Sequence, residues 1–139
     1  MKVILSIKPE FAEKIFDGSK KFEFRRRIYK NKQIKTVVVY ASSPISKVIG
    51  EFEIEDVIHD ELDSLWETTS EHSGISHDYY LDYFKGTEMG FAIAVKKAEL
   101  YEKPVCIKET FGIRPPQSFA YLHRTNTTEA KNESLGMLN

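Results

Sequence analysis

Two hydrophobic spacings follow one another at the start of the chain, and together they predict a strand and then a helix. Residues 3–7 are almost all large apolar or β-branched, which is typical of a strand. Over residues 9–17 the apolar positions recur at helical spacing, and Pro9 suits a first helical turn because its missing N–H costs nothing there. Gly18 then fits the left-handed position just past a helix end.

After Gly18 the hydrophobic period changes to two, which predicts a second strand. Phe22 and Phe24 fall on one face of this strand and are expected to enter a core. The opposite face is charged and is expected to line solvent or a cleft. It carries Lys21, Glu23, Arg25 and Arg27.

The rest of the chain continues this mixture of strands and helices. The predicted strands cover residues 36–41, 47–59 with a bend at Gly50, 90–101 and 104–107, and two predicted helices cover 63–71 and 77–85. Residues 113–122 are predicted to close the domain. The pattern therefore favours one α+β domain over residues 1–122 with about six strands and about three helices. The polar residues 123–139 are predicted to be a disordered tail.

Composition excludes several classes of protein. The chain has 139 residues, a formal net charge of −1 and a single cysteine, Cys106, so no internal disulfide can form. Cys106 lies in a short apolar run and is expected to be a buried small hydrophobe. No signal-peptide core and no apolar run of membrane-spanning length occurs, so a cytoplasmic protein without membrane contact is expected. The four histidines lack metal-ligand spacing, so neither a metal nor another cofactor is expected.

Charge is placed unevenly along the sequence. Residues 20–35 contain eight basic residues and one acid, whereas residues 51–71 contain acids and no Lys or Arg. The basic stretch favours local binding of a polyanion such as RNA. The alternative is that the basic and acidic stretches neutralise each other, and the row Glu51, Glu53 and Glu55 is expected to lie opposite the basic strand.

The basic strand also contains candidate chemistry. Glu23 and Arg25 are two apart on one strand face, so the carboxylate is expected to hold the guanidinium. The surrounding basic residues are expected to lower the pKa of Lys20, which would make it a possible proton acceptor. The alternative is a solvated edge strand whose charges prevent aggregation.

Gly18, Lys20, Glu23 and Arg25 form the motif G-x-K-x-x-E-x-R after a strand and a helix. This arrangement resembles the signature of the ASCH domain family in the PUA-like superfamily, and the resemblance extends from residue 1 to about residue 122. It implies a mixed, mostly antiparallel β-barrel with a helix-lined cleft that binds RNA or a nucleotide.

The acetylcytidine amidohydrolases, an ASCH-type group, use a lysine and a threonine of the motif and a glutamate of the helical region. By this resemblance Lys20 takes the place of the lysine and Glu71 that of the helical glutamate. Glu23 stands where that group has threonine, which argues against amidohydrolase activity. The loop after the strand 36–41 often borders the cleft in PUA-like folds, which adds Ser42 and Ser43 as candidates, although an ordinary proline turn is the alternative.

These observations favour a stand-alone module that binds RNA or a modified nucleotide. The candidate ligand contacts are Lys20, Lys21, Glu23, Arg25, Arg27, Ser42 and Ser43, with Arg114, Gln117 and Ser118 as weaker rim candidates. The alternative is an enzyme on the same ligands, either an acylated-nucleoside amidohydrolase or a ribonuclease. Its catalytic candidates are Lys20, Glu23 and Glu71. A weaker alternative is a transcription-related regulator that acts with a partner.

Overall fold

The computed structural model describes residues 1–123 and confirms the α+β class, with six strands, four α-helices and one 3₁₀ helix in this range. The strands are β1 (Lys2–Ile7), β2 (Phe22–Arg25), β3 (Thr36–Ala41), β4 (Lys47–Glu61), β5 (Met89–Val105) and β6 (Phe119–Leu122). The α-helices are α1 (Pro9–Asp17), α2 (Leu62–Thr69), α3 (His77–Tyr83) and α4 (Ile107–Phe111), and the 3₁₀ helix (Ser70–His72) follows α2. The predicted tail lies outside the described residues except for His123.

The strands form one mixed sheet in the order β2-β5-β4-β3-β1-β6. Only β1 and β3 run parallel among the described pairs, and the others are antiparallel. The predicted barrel is wrong in one respect, because the sheet is not closed. Within residues 1–123 no backbone ladder joins the edge strands β2 and β6. The Arg25 side chain instead reaches from β2 to Ser6 in β1 and Ser118 just before β6.

A long ribbon of β4 and β5 forms the centre of the sheet. β5 runs for 17 residues, so the two strands predicted over 90–101 and 104–107 are one strand, held continuous by its pairing with the 15-residue β4. Gly50 lies where the register shifts. A Cβ there would come within 2.5 Å of the Glu99 carbonyl oxygen and 2.8 Å of the Phe16 ring. Glycine is therefore required for this close approach.

Helix α4 was not predicted. It begins directly after Cys106 and buries Ile107 and Phe111 against Val48 and Leu122. The prediction that Cys106 is buried is wrong, because it stands half-exposed at the start of α4. The sequence 104–107 is too short for its apolar residues to distinguish a strand from a helix start.

The two helices predicted between β4 and β5 are confirmed as α2 and α3, and they share an apolar cluster with β2. Phe24, Tyr80 and Phe84 pack together with edge-on ring contacts, and Leu65 is fully buried beside them. Trp66 is half-buried in this cluster and stacks on His77 with ring centroids 4.8 Å apart. This packing places α3 against Phe24 of β2.

The acidic row of β4 does not face the basic strand, which corrects the prediction. β5 lies between β4 and β2. Glu51 binds Lys2 instead, and Glu53 lies opposite Lys97. No helix within residues 1–123 is long and apolar enough to cross a membrane.

Candidate functional site

A cleft with a volume of about 460 Å³ opens between β2, the start of α1, α3 and the segment that precedes β6. Its charged lining consists of the cations Lys8, Lys20, Arg25, Arg26 and Arg27 and the carboxylate Glu23. Its aromatic lining consists of Phe11, Phe24, Tyr79 and Tyr83. This excess of cations beside aromatic rings suits an anionic ligand that carries planar groups.

Lys20 is the most deeply buried cation of the cleft, with 2% of its surface exposed. Its Nζ donates a hydrogen bond of 2.7 Å to the Ser73 carbonyl oxygen. The same Nζ lies 5.3 Å from the Phe11 ring centroid and 4.9 Å from that of Phe24, so two aromatic faces contribute cation–π attraction. No ion pair found among residues 1–123 includes Lys20.

Burial lowers the pKa of Lys20 from 10.5 to about 8, while Glu23 opposes this change and Lys14 adds to it. The sequence predicted the direction of this change but attributed it to neighbouring basic residues. Removal of the ammonium from water is the main cause. An amine with this pKa is present in both protonation states near neutral pH, so it can serve as a phosphate contact or as a proton acceptor.

The turn after α1 determines which lysine enters the cleft. Gly18 ends α1 with a φ of 89°. The Lys20 N–H then donates to the Lys14 carbonyl and the Lys21 N–H donates to the His72 carbonyl. These bonds direct the Lys20 side chain inward and leave Lys21 exposed. Lys21 is therefore absent from the cleft lining.

Glu23 and Arg25 form the predicted pair, with 3.1 Å between Glu23 Oε2 and an Arg25 guanidinium nitrogen. The same nitrogen donates to the Ser6 carbonyl at 3.3 Å, and the second terminal nitrogen donates to the carbonyl and hydroxyl of Ser118, both at 2.9 Å. Arg25 thus ties the edge strand β2 to β1 and to the segment before β6, with its terminal donors already bound to protein acceptors.

Two tyrosines of α3 lie beneath cations at the mouth of the cleft. The Arg26 guanidinium carbon lies 4.9 Å from the Tyr83 ring centroid and Arg26 also donates to the Tyr83 carbonyl. Lys8 Nζ lies 5.5 Å from the Tyr79 ring centroid. Neither tyrosine is among the predicted site residues. Their i, i+4 spacing was the available signal, because it places both rings on one helix face.

Several predicted site residues lie elsewhere. Glu71 is exposed on the 3₁₀ helix and pairs with His72 at 3.7 Å. Ser42 and Ser43 form the turn after β3, where the Ser42 N–H donates to the Ile7 carbonyl. None of these three lines the cleft, and neither does Arg114, whereas Gln117, Ser118 and Arg27 do. The carbonyls of residues 72–74, which follow Glu71, face the lysines, whereas the Glu71 side chain is exposed.

The described residues also bear on metal chemistry. No group of three or more His, Cys, Asp and Glu side chains within residues 1–123 is arranged to hold a metal ion.

Comparison with known proteins adds a family to this geometry. The family model of the ASCH domain matches residues 5–104. A protein of Zymomonas mobilis subsp. mobilis named an ASCH domain-containing ribonuclease is 32% identical over 128 residues, covering 89% of this chain and 86% of that protein. The crystal structure of ASCH from Zymomonas mobilis has a TM-score of 0.85 at 31% identity, covering 92% of both chains. The N-terminal domain of Staphylothermus marinus McrB has a TM-score of 0.60 at 14% identity, covering 96% of this chain and 93% of that one, which is a likeness of fold alone.

Proposed function

This chain belongs to the ASCH domain family, and we propose that its cleft binds RNA. The observation that supports this proposal most is the lining itself, in which five cations and one carboxylate surround a space edged by tyrosine rings. The cations can bind phosphates, and the aromatic rings can stack with unpaired bases. The anion is therefore expected to be single-stranded, because stacked bases of a duplex cannot reach such rings.

The cations divide into two roles in this proposal. Arg26 and Arg27 are exposed and are proposed to contact phosphates. Lys20 is buried and is proposed to contact a phosphate that enters the cleft fully. Arg25 is proposed to hold Glu23 and the cleft wall rather than the ligand, since its terminal nitrogens already bind Ser6, Ser118 and Glu23.

A second candidate function is cleavage of the bound RNA, and the relative named a ribonuclease favours it. In this reaction a ribose 2′-hydroxyl attacks the adjacent phosphate while the bond from phosphorus to the 5′-oxygen breaks, which leaves a 2′,3′-cyclic phosphate and a 5′-hydroxyl end. A base accepts the 2′-hydroxyl proton, the departing 5′-oxygen takes a proton from the protonated base or from water, and a cation stabilises the charge that develops. Neutral Lys20 is the proposed base, because its lowered pKa leaves a neutral fraction near neutral pH. Arg26 and Arg27 are the proposed stabilising cations. Glu71 is not part of this proposal.

The test is fluorescence anisotropy of a labelled single-stranded 12-nucleotide RNA at 50 mM and 200 mM salt, with the RNA from the same tube analysed on a gel. We expect salt-dependent binding that weakens in Lys20→Met and in Arg26→Gln, with the slope against log salt reduced by about 0.7 for each phosphate contact that is lost. Lys108→Met is the matched control, because Lys108 is an exposed lysine of α4 outside the cleft.

The outcomes separate the candidate functions. Binding with intact RNA supports the binding module alone, and shortened RNA whose appearance requires Lys20 supports the ribonuclease. Equal binding by wild type, Lys20→Met and Arg26→Gln would contradict the placement of RNA in this cleft. If RNA does not bind at either salt concentration, the proposal fails for RNA, and acetylcytidine is the first modified nucleoside to measure.

A further inference from the structure

Three consecutive carbonyl oxygens of the turn before α3 accept hydrogen bonds from lysines of α1 and the motif. The His72 carbonyl accepts from the Lys21 N–H at 2.8 Å. The Ser73 carbonyl accepts from Lys20 Nζ at 2.7 Å, and the Gly74 carbonyl accepts from Lys14 Nζ at 3.1 Å. We call residues 72–74 the acceptor turn.

The Lys20 side chain rests directly on the acceptor turn. A Cβ added to Gly74 would lie 2.6 Å from both Cβ and Cγ of Lys20 and 2.9 Å from its Cδ. Gly74 also has a φ of 71°, which glycine adopts without steric cost. Small movements of the acceptor turn must therefore move the Lys20 stem and its ammonium.

Lys14 binds both the backbone of Lys20 and the acceptor turn. Its backbone carbonyl accepts the Lys20 N–H at 3.0 Å. Its ammonium binds the Gly74 carbonyl, next to the Ser73 carbonyl that Lys20 binds. We infer that Lys14 is a positioning residue, which holds the acceptor turn and thereby fixes where the Lys20 ammonium lies in the cleft.

The charges around Lys20 come from several elements. Lys14 faces it from α1 and Glu23 faces it from β2, and both affect its pKa, Glu23 more strongly. Arg25 from β2 and the phenol of Tyr79 from α3 line the same cleft. Of these groups, only Lys14 both repels the Lys20 ammonium and holds the turn that carries its acceptor.

Loss of the Lys14 ammonium should change Lys20 in one direction through both effects. Removing a nearby positive charge makes protonation of Lys20 easier, which raises its pKa. Releasing the acceptor turn admits water to the Lys20 ammonium, which also raises its pKa because burial is what lowered it. A residue that served only helix stability would leave the Lys20 titration unchanged.

This inference rests on the proposed function for the ligand of Lys20 alone. The position of the Lys20 ammonium can therefore be tested without RNA. The full chain is labelled with ¹³C-lysine, and the Cε resonance of Lys20 is assigned by its disappearance in Lys20→Arg. We expect a wild-type midpoint near pH 8. In Lys14→Met the midpoint should rise by about half a pH unit. Lys14→Arg keeps both charge and donor, so it should restore the wild-type midpoint.

Lys108→Met is the control for loss of one surface lysine and should leave the Lys20 midpoint unchanged, since Lys108 lies on α4. An unchanged midpoint in Lys14→Met, or an equal rise in Lys108→Met, would overturn the inference. If Lys14→Met does not fold, Lys14→Gln is measured by the same criterion.

RNA binding is measured in the same samples. If the midpoint rises in Lys14→Met and the Lys21 amide, which donates to the acceptor turn, exchanges its hydrogen faster with solvent, while no sample binds RNA, the positioning role stands and the proposed function fails. A raised midpoint with unchanged exchange of that amide would reduce the role of Lys14 to its charge and overturn the inference. If RNA binds and the midpoint does not move, the proposed function stands and the positioning role fails.

Discussion

Two lysines, Lys2 in β1 and Lys20 just before β2, are held in contrasting ways. Lys2 binds both carboxylate oxygens of Glu51 at 3.2 Å, and the Tyr101 hydroxyl donates to the same carboxylate at 2.9 Å. Lys20 is more deeply buried, yet its Nζ is held by the Ser73 carbonyl and two aromatic faces. The Lys2 charge is balanced by a counterion in contact with it, whereas the Lys20 ammonium is in contact with neutral groups only.

This difference separates a structural charge from one available to a ligand. The Lys2–Glu51 pair is part-exposed, and its two opposite charges cancel, so it adds no net charge to its surroundings. A buried cation held by neutral acceptors carries a desolvation cost that the Coulomb attraction of an adjacent counterion does not offset. Such costs concentrate at functional sites. An incoming phosphate would supply an anion in direct contact with the Lys20 ammonium, whereas Glu23 acts on it without forming an ion pair.

The largest expected effect comes from disturbing the support of Lys20 with Gly74→Ala. Gly112 is the matched control, since its φ of 72° equals that of Gly74 within a degree but a Cβ there meets nothing within 4 Å. We expect Gly112→Ala to lower the free energy of unfolding by about 1 to 2 kcal/mol from backbone strain alone. Gly74→Ala adds contact with the Lys20 stem and should cost about 3 kcal/mol or more.

Urea denaturation of both variants measures this difference directly. If Gly74→Ala and Gly112→Ala lowered the free energy of unfolding equally, the Lys20 side chain would move aside without cost. The acceptor turn would then not support Lys20 tightly. The double variant Gly74→Ala with Lys20→Ala should recover part of the excess, because it removes Cγ and Cδ of Lys20 from the contact while the Lys20 Cβ remains.

The pH dependence of stability should be the next largest effect. Burial lowers the pKa of Lys20 to about 8 from its ordinary 10.5, so between these pH values the unfolded chain holds a proton that the folded protein has released. The free energy of unfolding therefore increases with pH across this window, by about 2 to 3 kcal/mol in total. Lys20→Met should flatten the increase, and Lys2→Met should retain it.

Above about pH 10 the trend should reverse. Burial raises the pKa of Tyr29 and of Tyr80 to about 12, so these phenols ionise in the unfolded chain before they ionise in the folded protein. Thermal unfolding measured from pH 7 to pH 10 tests the prediction below this limit. A stability that falls steadily across that range would contradict the buried, charged Lys20.

Smaller effects are expected from replacing Arg25, which holds the cleft wall, and Arg26, which is proposed to contact the ligand. Arg25→Lys keeps the charge but loses the fork that reaches both Ser118 and Glu23, so it should lower the free energy of unfolding by about 1 to 2 kcal/mol. Arg26→Lys loses only an exposed contact with Tyr83 and should change stability little. In anisotropy measurements Arg26→Lys should weaken RNA binding through lost planar stacking. An unchanged stability in Arg25→Lys would contradict its role in the wall.

The motif and its local geometry could be predicted because they depend on residues close in the sequence. A glycine past a helix end and a period-two strand determine the turn that carries Lys20, and the Glu23–Arg25 pair needs only a strand. The ASCH resemblance read from these residues is confirmed by the family match over residues 5–104.

What the sequence did not predict depends on contacts between distant segments. Across the opening of the sheet the Arg25 side chain of β2 binds Ser118 just before β6, and these two residues are 93 positions apart in the sequence. Tyr79 and Tyr83 line the cleft because α2 and α3 pack against Phe24 of β2. Glu71 was assigned by resemblance alone, and the path of the chain after α2 leaves it exposed.

The smallest effect should come from Lys2→Met, which tests the other half of the comparison. Part-exposed ion pairs contribute little, because side-chain entropy and solvent screening offset their attraction, so we expect a loss of less than about 1 kcal/mol and unchanged RNA binding. The Tyr101 phenol supplies a local reporter, because burial raises its pKa above the usual range and Glu51 raises it further. Glu51→Gln should therefore lower the pKa of Tyr101 in a spectrophotometric titration. If Lys2→Met weakened RNA binding as much as Lys20→Met, the presence of a counterion would not distinguish a structural lysine from one that binds the ligand, and the comparison between the two lysines would fail.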